Sequence, residues 1–246
     1  MYARSRGGLW DTVRTIIYAI LIALVARTVA YEPFNIPSSS MVPTLLVGDY
    51  LFVSKYSYGY SRYSLPFGLP LIADRIFYTI PERGDVAVFK LPSDNRTDYI
   101  KRIIGLPGDE IQMKEGRLYI NGEIVQRESI EDFTMQNSHR SPRSIQQYIE
   151  TLPNGRRHRI IEASDEGQLD NTPVYKVPPH HYFAMGDNRD NSLDSRAKHG
   201  VGFIPKDNLV GRAEVLFFSV NGGTRIWEVW KWPVAIRFRR FFQAVQ

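Results

Sequence analysis

A serine-rich turn and a lysine in an apolar run are the residues of this sequence best suited to chemistry. Residues 36–45 read IPSSSMVPTL, so three hydroxyls lie between two prolines that restrict the backbone. Lys101 lies in the strand-like run DYIKRII. A serine hydroxyl is a weak nucleophile and needs a base. Lysine can be that base only when it is neutral, and burial among apolar side chains favours the neutral form. The two segments together predict a serine–lysine nucleophile, with Ser40 as the attacking residue.

Each half of this pair also has an ordinary explanation. A serine-rich turn is common, and an isolated lysine usually extends its ammonium group to solvent. Strand alternation, however, places Lys101 on the same face as Tyr99 and Ile103, two large and mostly apolar side chains. Ser38 can donate its hydroxyl to an oxyanion, with the Ser40 backbone N–H as the second donor. The combination therefore favours catalysis.

The residues that other classes of catalytic or binding site require are missing from the sequence. The chain has no cysteine, which excludes thiolate nucleophiles, disulfides and thiolate metal sites. Its five histidines have no recognisable catalytic partner, and neither Gly-x-Ser-x-Gly nor His-Glu-x-x-His occurs. The net charge of +5 is scattered and no nucleic-acid-binding motif accompanies it. We expect no cofactor, no metal and no nucleic-acid partner.

A third cluster, residues 186–196, reads GDNRDNSLDSR. It is a poor EF-hand, because Arg189 occupies a ligand position and Ser192 stands in place of the glycine. The alternatives are a solvated polar loop or a network in which Asp194 pairs with Arg196 and Ser192 reaches another side chain.

The N-terminal region predicts a membrane segment. Residues 15–26 carry no charge and lie between Arg14 and Arg27. Extended to residues 9–31, the segment is long enough to cross about 30 Å of hydrocarbon. More basic residues precede it than follow it, which predicts a cytoplasmic N-terminus. A cleaved signal peptide ending at residues 28–30 and a buried core helix are the alternatives.

The rest of the chain predicts a mainly β fold of antiparallel strands, with an Asn-Gly hairpin. Residues 127–170 are polar, with little periodicity, and indicate an inserted region or long exposed loops. The expected strands are residues 50–54, 85–90, 99–104, 182–185 and 213–218, and the hairpin is 117–125. The expected division is a cytoplasmic tail (1–8), an anchor (9–31), a catalytic β core (32–110 and 177–246) and an inserted β-rich or loop region (111–176).

Several ordered blocks between residues 36 and 213 resemble bacterial type I signal peptidase, a membrane-bound Ser–Lys protease. They read IPSSSMVPTLLVGDY, RGDVAVFK, DYIKRIIGLPGDE, and GDNRDNSLDSR followed by GFIPKDNLVGRA. Ser39 stands where glycine is common in that family. The resemblance implies a nucleophile at Ser40, a general base at Lys101, an oxyanion donor at Ser38, a lysine-orienting hydroxyl at Ser192, and a supporting ion pair of Asp194 with Arg196.

The same resemblance implies the substrate and the location. The expected substrates are signal peptides of exported preproteins, cut after a small-x-small motif at the bacterial inner membrane, with the catalytic domain on the extracytoplasmic side. A Ser–Lys repressor of the SOS type and a non-catalytic, membrane-anchored peptide-binding domain are the alternatives. The −1 pocket is expected at Ile36, Met41, Leu45, Tyr99 and Ile100, and the −3 pocket at Phe34, Leu51 and Val88.

Overall fold

An N-terminal helix precedes a β domain in the computed structural model, which describes residues 8–65, 68, 72–137, 140–221 and 227–246. Helix α1 spans Leu9–Val29, and its 21 residues correspond to about 31 Å. None of its apolar stretch is buried against the rest of the protein, and it is the only helix among the described residues with the length and composition of a membrane span. The alternative of a buried core helix is therefore wrong.

The described residues form fourteen strands, and every strand pairing is antiparallel. This confirms the mainly β prediction. In chain order the strands are β1 Tyr31–Asn35, β2 Asp49–Ser54, β3 Val86–Lys90, β4 Asp98–Gly105, β5 Glu110–Lys114, β6 Arg117–Ile120, β7 Glu123–Ile124, β8 Gln126–Asn137, β9 Arg140–Thr151, β10 Arg157–Glu162, β11 Tyr175–Lys176, β12 His181–Met185, β13 Ile204–Pro205 and β14 Leu209–Ser219.

The main sheet has seven strands in the order β1-β2-β14-β3-β4-β12-β13. The five strands expected from the sequence correspond to β2, β3, β4, β12 and β14. Helix α2 spans Trp232–Ala235. Short 3-10 segments lie at Tyr56–Tyr58, Arg62–Ser64, Arg189–Asn191, Lys206–Asn208, Val229–Lys231 and Phe238–Arg240.

Two smaller sheets are built from residues 110–176, in the orders β11-β5-β6-β7 and β10-β9-β8. The β6–β7 hairpin turns at Asn121 and Gly122, whose φ angles of 55° and 82° suit the tight turn that Asn-Gly predicts. Most of residues 127–170 form β8, β9 and β10 rather than exposed loops. The division into domains itself stays a prediction.

A hydrophobic cluster beneath the serine turn positions that turn on the main sheet. Met41 and Leu45, which follow the three serines, are 1% and 0% exposed. They belong to one buried cluster with Leu51 of β2 and Val88 of β3. Full burial of each such side chain contributes about 1.5–3 kcal/mol. The turn is therefore held on the sheet from below, with Ser38 exposed, Ser39 half-buried and Ser40 buried.

Candidate active site

Ser40 and Lys101 lie in contact although 60 residues separate them in sequence. Ser40 belongs to the turn after β1, and Lys101 lies on β4, where it pairs with Ala87 of β3. The Lys101 Nζ atom is 2.5 Å from the Ser40 Oγ atom, and the two residues are only 3% and 8% exposed. This hydrogen bond is the geometry that proton transfer from a serine hydroxyl to an amine requires.

Burial lowers the pKa of Lys101 from its ordinary 10.5 to about 8. The carboxylates of Asp194 and Asp187 act in the opposite direction, and Arg196 adds to the lowering. At pH 7, a pKa of about 8 leaves roughly one molecule in ten with a neutral lysine, compared with one in a few thousand for an unperturbed lysine. Lys101 is thus suited to act as a base near neutral pH.

Ser38 lies at the mouth of the site. Its hydroxyl oxygen is 3.4 Å from the Ser40 hydroxyl oxygen, and the residue is exposed. The hydroxyl can rotate toward a group bound next to Ser40. This position is compatible with the oxyanion role expected from the sequence.

Residues 186–192 pack directly on the serine turn and hydrogen-bond to it. The Asn188 backbone N–H donates to the Ser40 carbonyl at 3.1 Å, and its side-chain amide donates to the Ser39 carbonyl at 3.1 Å. Asn191 donates its side-chain N–H to the Ser39 hydroxyl at 2.9 Å. Sequence reasoning missed both asparagines, because no spacing signal links them to the turn.

Gly186 permits this close packing. A Cβ atom at this position would lie 2.5 Å from the Ser40 carbonyl oxygen and well inside van der Waals contact with the Ser192 hydroxyl. Both neighbours belong to the site, so any side chain at position 186 would displace them.

Asp194 and Arg196 form a buried, two-pronged ion pair, with hydrogen bonds of 2.9 and 3.0 Å. Burial raises the pKa of Asp194, but Arg196 and the Gly186 N–H together lower it below its ordinary value. Ser192 is itself buried. The hydrogen bonds of Lys101 in the described part of the chain do not include one to Ser192, so the expected lysine-orienting contact is not formed in this structure.

A second ion pair joins β4 to the same segment. Arg102, next to Lys101, donates to Asp187 at 2.8 and 2.7 Å, and Thr44 donates to the same carboxylate at 2.5 Å. Arg102 and Asp187 are fully buried. The strand that carries Lys101, the serine turn and residues 186–192 are thus held by one carboxylate, which sequence reasoning also missed.

A cleft of about 360 Å³ opens beside Ser40, between the turn after β1 and the first half of β4. β12 pairs with β4 only from Arg102 onward, so residues 98–101 have β3 on one side and the cleft on the other. Five of the expected substrate-binding residues line the cleft, namely Phe34, Ile36, Val88, Tyr99 and Ile100. The other three, Met41, Leu45 and Leu51, lie in the buried cluster below it.

Comparison with known proteins gives consistent matches. A family model described as "Signal peptidase, peptidase S26" matches residues 9–218. Signal peptidase I of Rickettsia canadensis (strain McKiel) is 41% identical over 216 residues, which cover 85% of this chain and 79% of the relative. Signal peptidase I of Rickettsia typhi (strain ATCC VR-144 / Wilmington) is 42% identical over 212 residues, which cover 83% of this chain and 78% of the relative.

Among solved structures, a signal peptidase I from Enterococcus faecalis V583 matches 55% of this chain and 97% of its own, with 23% identity and a TM-score of 0.31. That structural likeness is too weak to support a conclusion. The family model covers Ser40, Lys101 and residues 186–196, the two relatives match most of the chain, and together they confirm the resemblance. The chain belongs to the signal peptidase family, peptidase S26.

Proposed function

We propose that this chain is a membrane-anchored serine endopeptidase that removes N-terminal signal peptides from exported preproteins with a Ser40–Lys101 dyad. The observation that carries the proposal is the 2.5 Å contact between a buried lysine of lowered pKa and a serine at the edge of an apolar cleft. The signal peptidase I relatives support the choice of substrate.

In the proposed mechanism, neutral Lys101 accepts the proton of the Ser40 hydroxyl while the serine oxygen attacks the scissile carbonyl carbon. The Ser38 hydroxyl and the Ser40 N–H stabilise the resulting oxyanion. The Lys101 ammonium then gives its proton to the departing amine, which leaves an acyl-enzyme. Lys101 next takes a proton from water, whose oxygen attacks the ester, and the proton returns to Ser40 as the signal peptide departs.

The proposed specificity follows from the cleft. An extended substrate would add a strand along the unpaired side of residues 98–101, which supplies main-chain hydrogen bonds without sequence preference. Ile36 and Ile100 would face the −1 side chain, and Phe34 and Val88 the −3 side chain. Shallow apolar pockets admit alanine and exclude larger groups by steric clash, which yields a small-x-small motif.

We place α1 in the bacterial inner membrane, with a cytoplasmic N-terminus and the β domain outside. β1 begins at Tyr31, two residues after α1 ends, and Ser40 follows after a further nine residues. The active site would then stay near the lipid surface at which a preprotein emerges. Protease added to intact spheroplasts should degrade the β domain, and mass spectrometry of the membrane-bound protein should recover residues 1–30 uncleaved.

The experiment that tests the function uses the full chain in detergent and a preprotein with an Ala-x-Ala site. Ser40→Ala and Lys101→Ala should each lower kcat/KM by at least about 1000-fold, because the two groups act as one unit. Ser93→Ala and Lys176→Ala change exposed residues that do not line the cleft and should retain full activity.

Thermal unfolding shows whether the two dyad variants remain folded. Full activity in either one rejects the dyad. Binding of the signal peptide without cleavage by the wild-type chain would favour a non-catalytic peptide-binding domain instead.

A further inference from the structure

Three carboxylates outside the proposed mechanism converge behind residues 186–192. Glu162 ends β10, Asp170 lies in the loop that follows, and Asp190 lies in the 3-10 segment Arg189–Asn191. One oxygen from each of the three lies within 4.8 Å of the others. No step of the Ser40–Lys101 chemistry uses any of these side chains.

Two of these carboxylates have an oxygen with no hydrogen-bond partner among the residues that the structure describes, although both residues are buried. Glu162 and Asp170 are 3% and 0% exposed, and their free atoms are Oε1 and Oδ1. Their other oxygens are occupied: Glu162 contacts Arg127, and Asp170 accepts from the Gly167 N–H at 2.5 Å. Unpaired buried carboxylate oxygens are costly, so this arrangement indicates that a ligand belongs here.

The third carboxylate is anchored and still open to solvent. Asp190 is exposed, and its Oδ2 atom accepts from the N–H groups of Ala163 and Ser164 at 2.6 and 3.1 Å. Its Oδ1 atom faces Gly167, where a Cβ atom would lie 3.1 Å from Asp190 and 3.0 Å from Asp170. The cluster therefore has a fixed shape and an entry path.

The protein offers few positive charges to this cluster. Among the described residues, Glu162 is the only one of the three with an ion-pair partner, Arg127, and Arg127 also pairs with Asp165 at 3.1 Å. The three carboxylates thus share one ion-paired cation within the protein.

We propose that Glu162, Asp170 and Asp190 bind a divalent cation of the Ca²⁺ class. Calcium takes oxygen ligands at about 2.3–2.6 Å in flexible geometry, so ligand oxygens up to about 4.8 Å apart fit one ion, and water from the Asp190 side completes its shell. This departs from the sequence expectation of no metal. The EF-hand argument concerned one continuous loop, whereas these ligands come from three separate segments.

The cation has a structural consequence for the site. Asp190 lies between Asn188 and Asn191, the residues that hydrogen-bond to Ser39. A cation bound there ties the loop after β10 to the segment that holds the serine turn. The cation stabilises the position of that segment and takes no part in bond cleavage.

The test is calorimetric titration of CaCl₂ into the EDTA-treated full chain in detergent, together with thermal unfolding. We expect one ion to bind, with a Tm increase of about 3 °C or more at saturation and weaker binding of MgCl₂. Asp170→Asn and Asp190→Asn should weaken binding at least about tenfold. Asp132→Asn, an exposed carboxylate on β8 outside the cluster, should bind as the wild type does.

Two results would overturn the proposal. The first is no binding and no Tm change at about 10 mM CaCl₂, or an equal response in the carboxylate variants. The second is that Glu162→Gln raises the Tm of the metal-free protein while the wild type binds no calcium. That outcome would mean that the carboxylates share a proton in place of a cation. If Asp170→Asn does not fold, Asp190→Asn decides, because its amide oxygen can keep both backbone hydrogen bonds.

Discussion

At the scale of single residues, the environment of Lys101 decides whether the site can work. Burial favours the neutral amine, while Asp194 and Asp187 favour the charged form. Since both carboxylates are themselves held by arginines, their effect on the lysine is moderated. The resulting pKa of about 8 lies close enough to neutral pH for a base and keeps the ammonium available as an acid.

The first prediction concerns the pH profile of cleavage. The base must be deprotonated, so kcat/KM should fall about tenfold per pH unit below the pKa of Lys101 and level off above about 8. Asp194→Asn removes a charge that favours the ammonium, and the midpoint should therefore move to lower pH. Initial rates on a fluorogenic peptide between pH 6 and 10 measure both, and a flat profile or an upward shift contradicts this account.

The second prediction concerns Gly186. In Gly186→Ala, the added methyl group must displace the Ser192 hydroxyl or the Ser40 carbonyl. We expect kcat to fall at least about 100-fold, since small displacements of reacting groups cost that much, and stability to fall by about 1–3 kcal/mol. Gly8→Ala is the control, because no atom of the described residues beyond its chain neighbours lies within 4 Å of the added methyl group. Unchanged kinetics in Gly186→Ala would show that the close packing is not needed.

At the scale of elements, three segments build the site: the serine turn, β4 and residues 186–192. Their hydrogen bonds span 58 to 152 positions in sequence, from the bond that Arg102 donates to Thr44 to the bond that Asn191 donates to Ser39. The strands themselves were predictable, because alternation and turn residues are local signals. β8 and β9 were not predictable in the same way, because their exposed faces are polar and the two strands are stabilised by pairing with each other. The roles of Asn188 and Asn191 could not be predicted for a related reason: a polar contact between distant segments leaves no periodic pattern in the sequence.

The third prediction tests how residues 186–192 hold the serine turn. Asn191→Ala and Ser39→Ala each remove the 2.9 Å hydrogen bond between these two side chains. Each variant should lower kcat about two- to tenfold with little change in KM. A loss of this size corresponds to the net free energy of one hydrogen bond. The double variant should be no worse than either single one, because both delete the same interaction. Additive losses would show that the two residues act separately.

At the scale of the whole molecule, the connection between α1 and the β domain is short and bonded. The Val29 carbonyl accepts from the Tyr60 hydroxyl at 2.7 Å, and the Ala30 carbonyl accepts from the Lys55 N–H at 3.0 Å. The end of the helix is therefore attached to the domain that carries the cleft. In the proposed function, α1 would hold the site in the plane of membrane-bound substrates, which would raise their effective concentration without changing the chemistry.

The fourth prediction separates these roles. Deletion of residues 1–28 keeps Val29 and Ala30, and with them both hydrogen bonds to the β domain. The truncated protein should cleave a short soluble peptide with kcat/KM within about twofold of the full chain, because the dyad and the cleft are intact. On a preprotein inserted in lipid vesicles its rate should fall at least about tenfold, since the shared membrane no longer concentrates enzyme and substrate. An equal loss on both substrates would mean that α1 shapes the active site, and no loss on vesicles would mean that anchoring does not limit the reaction.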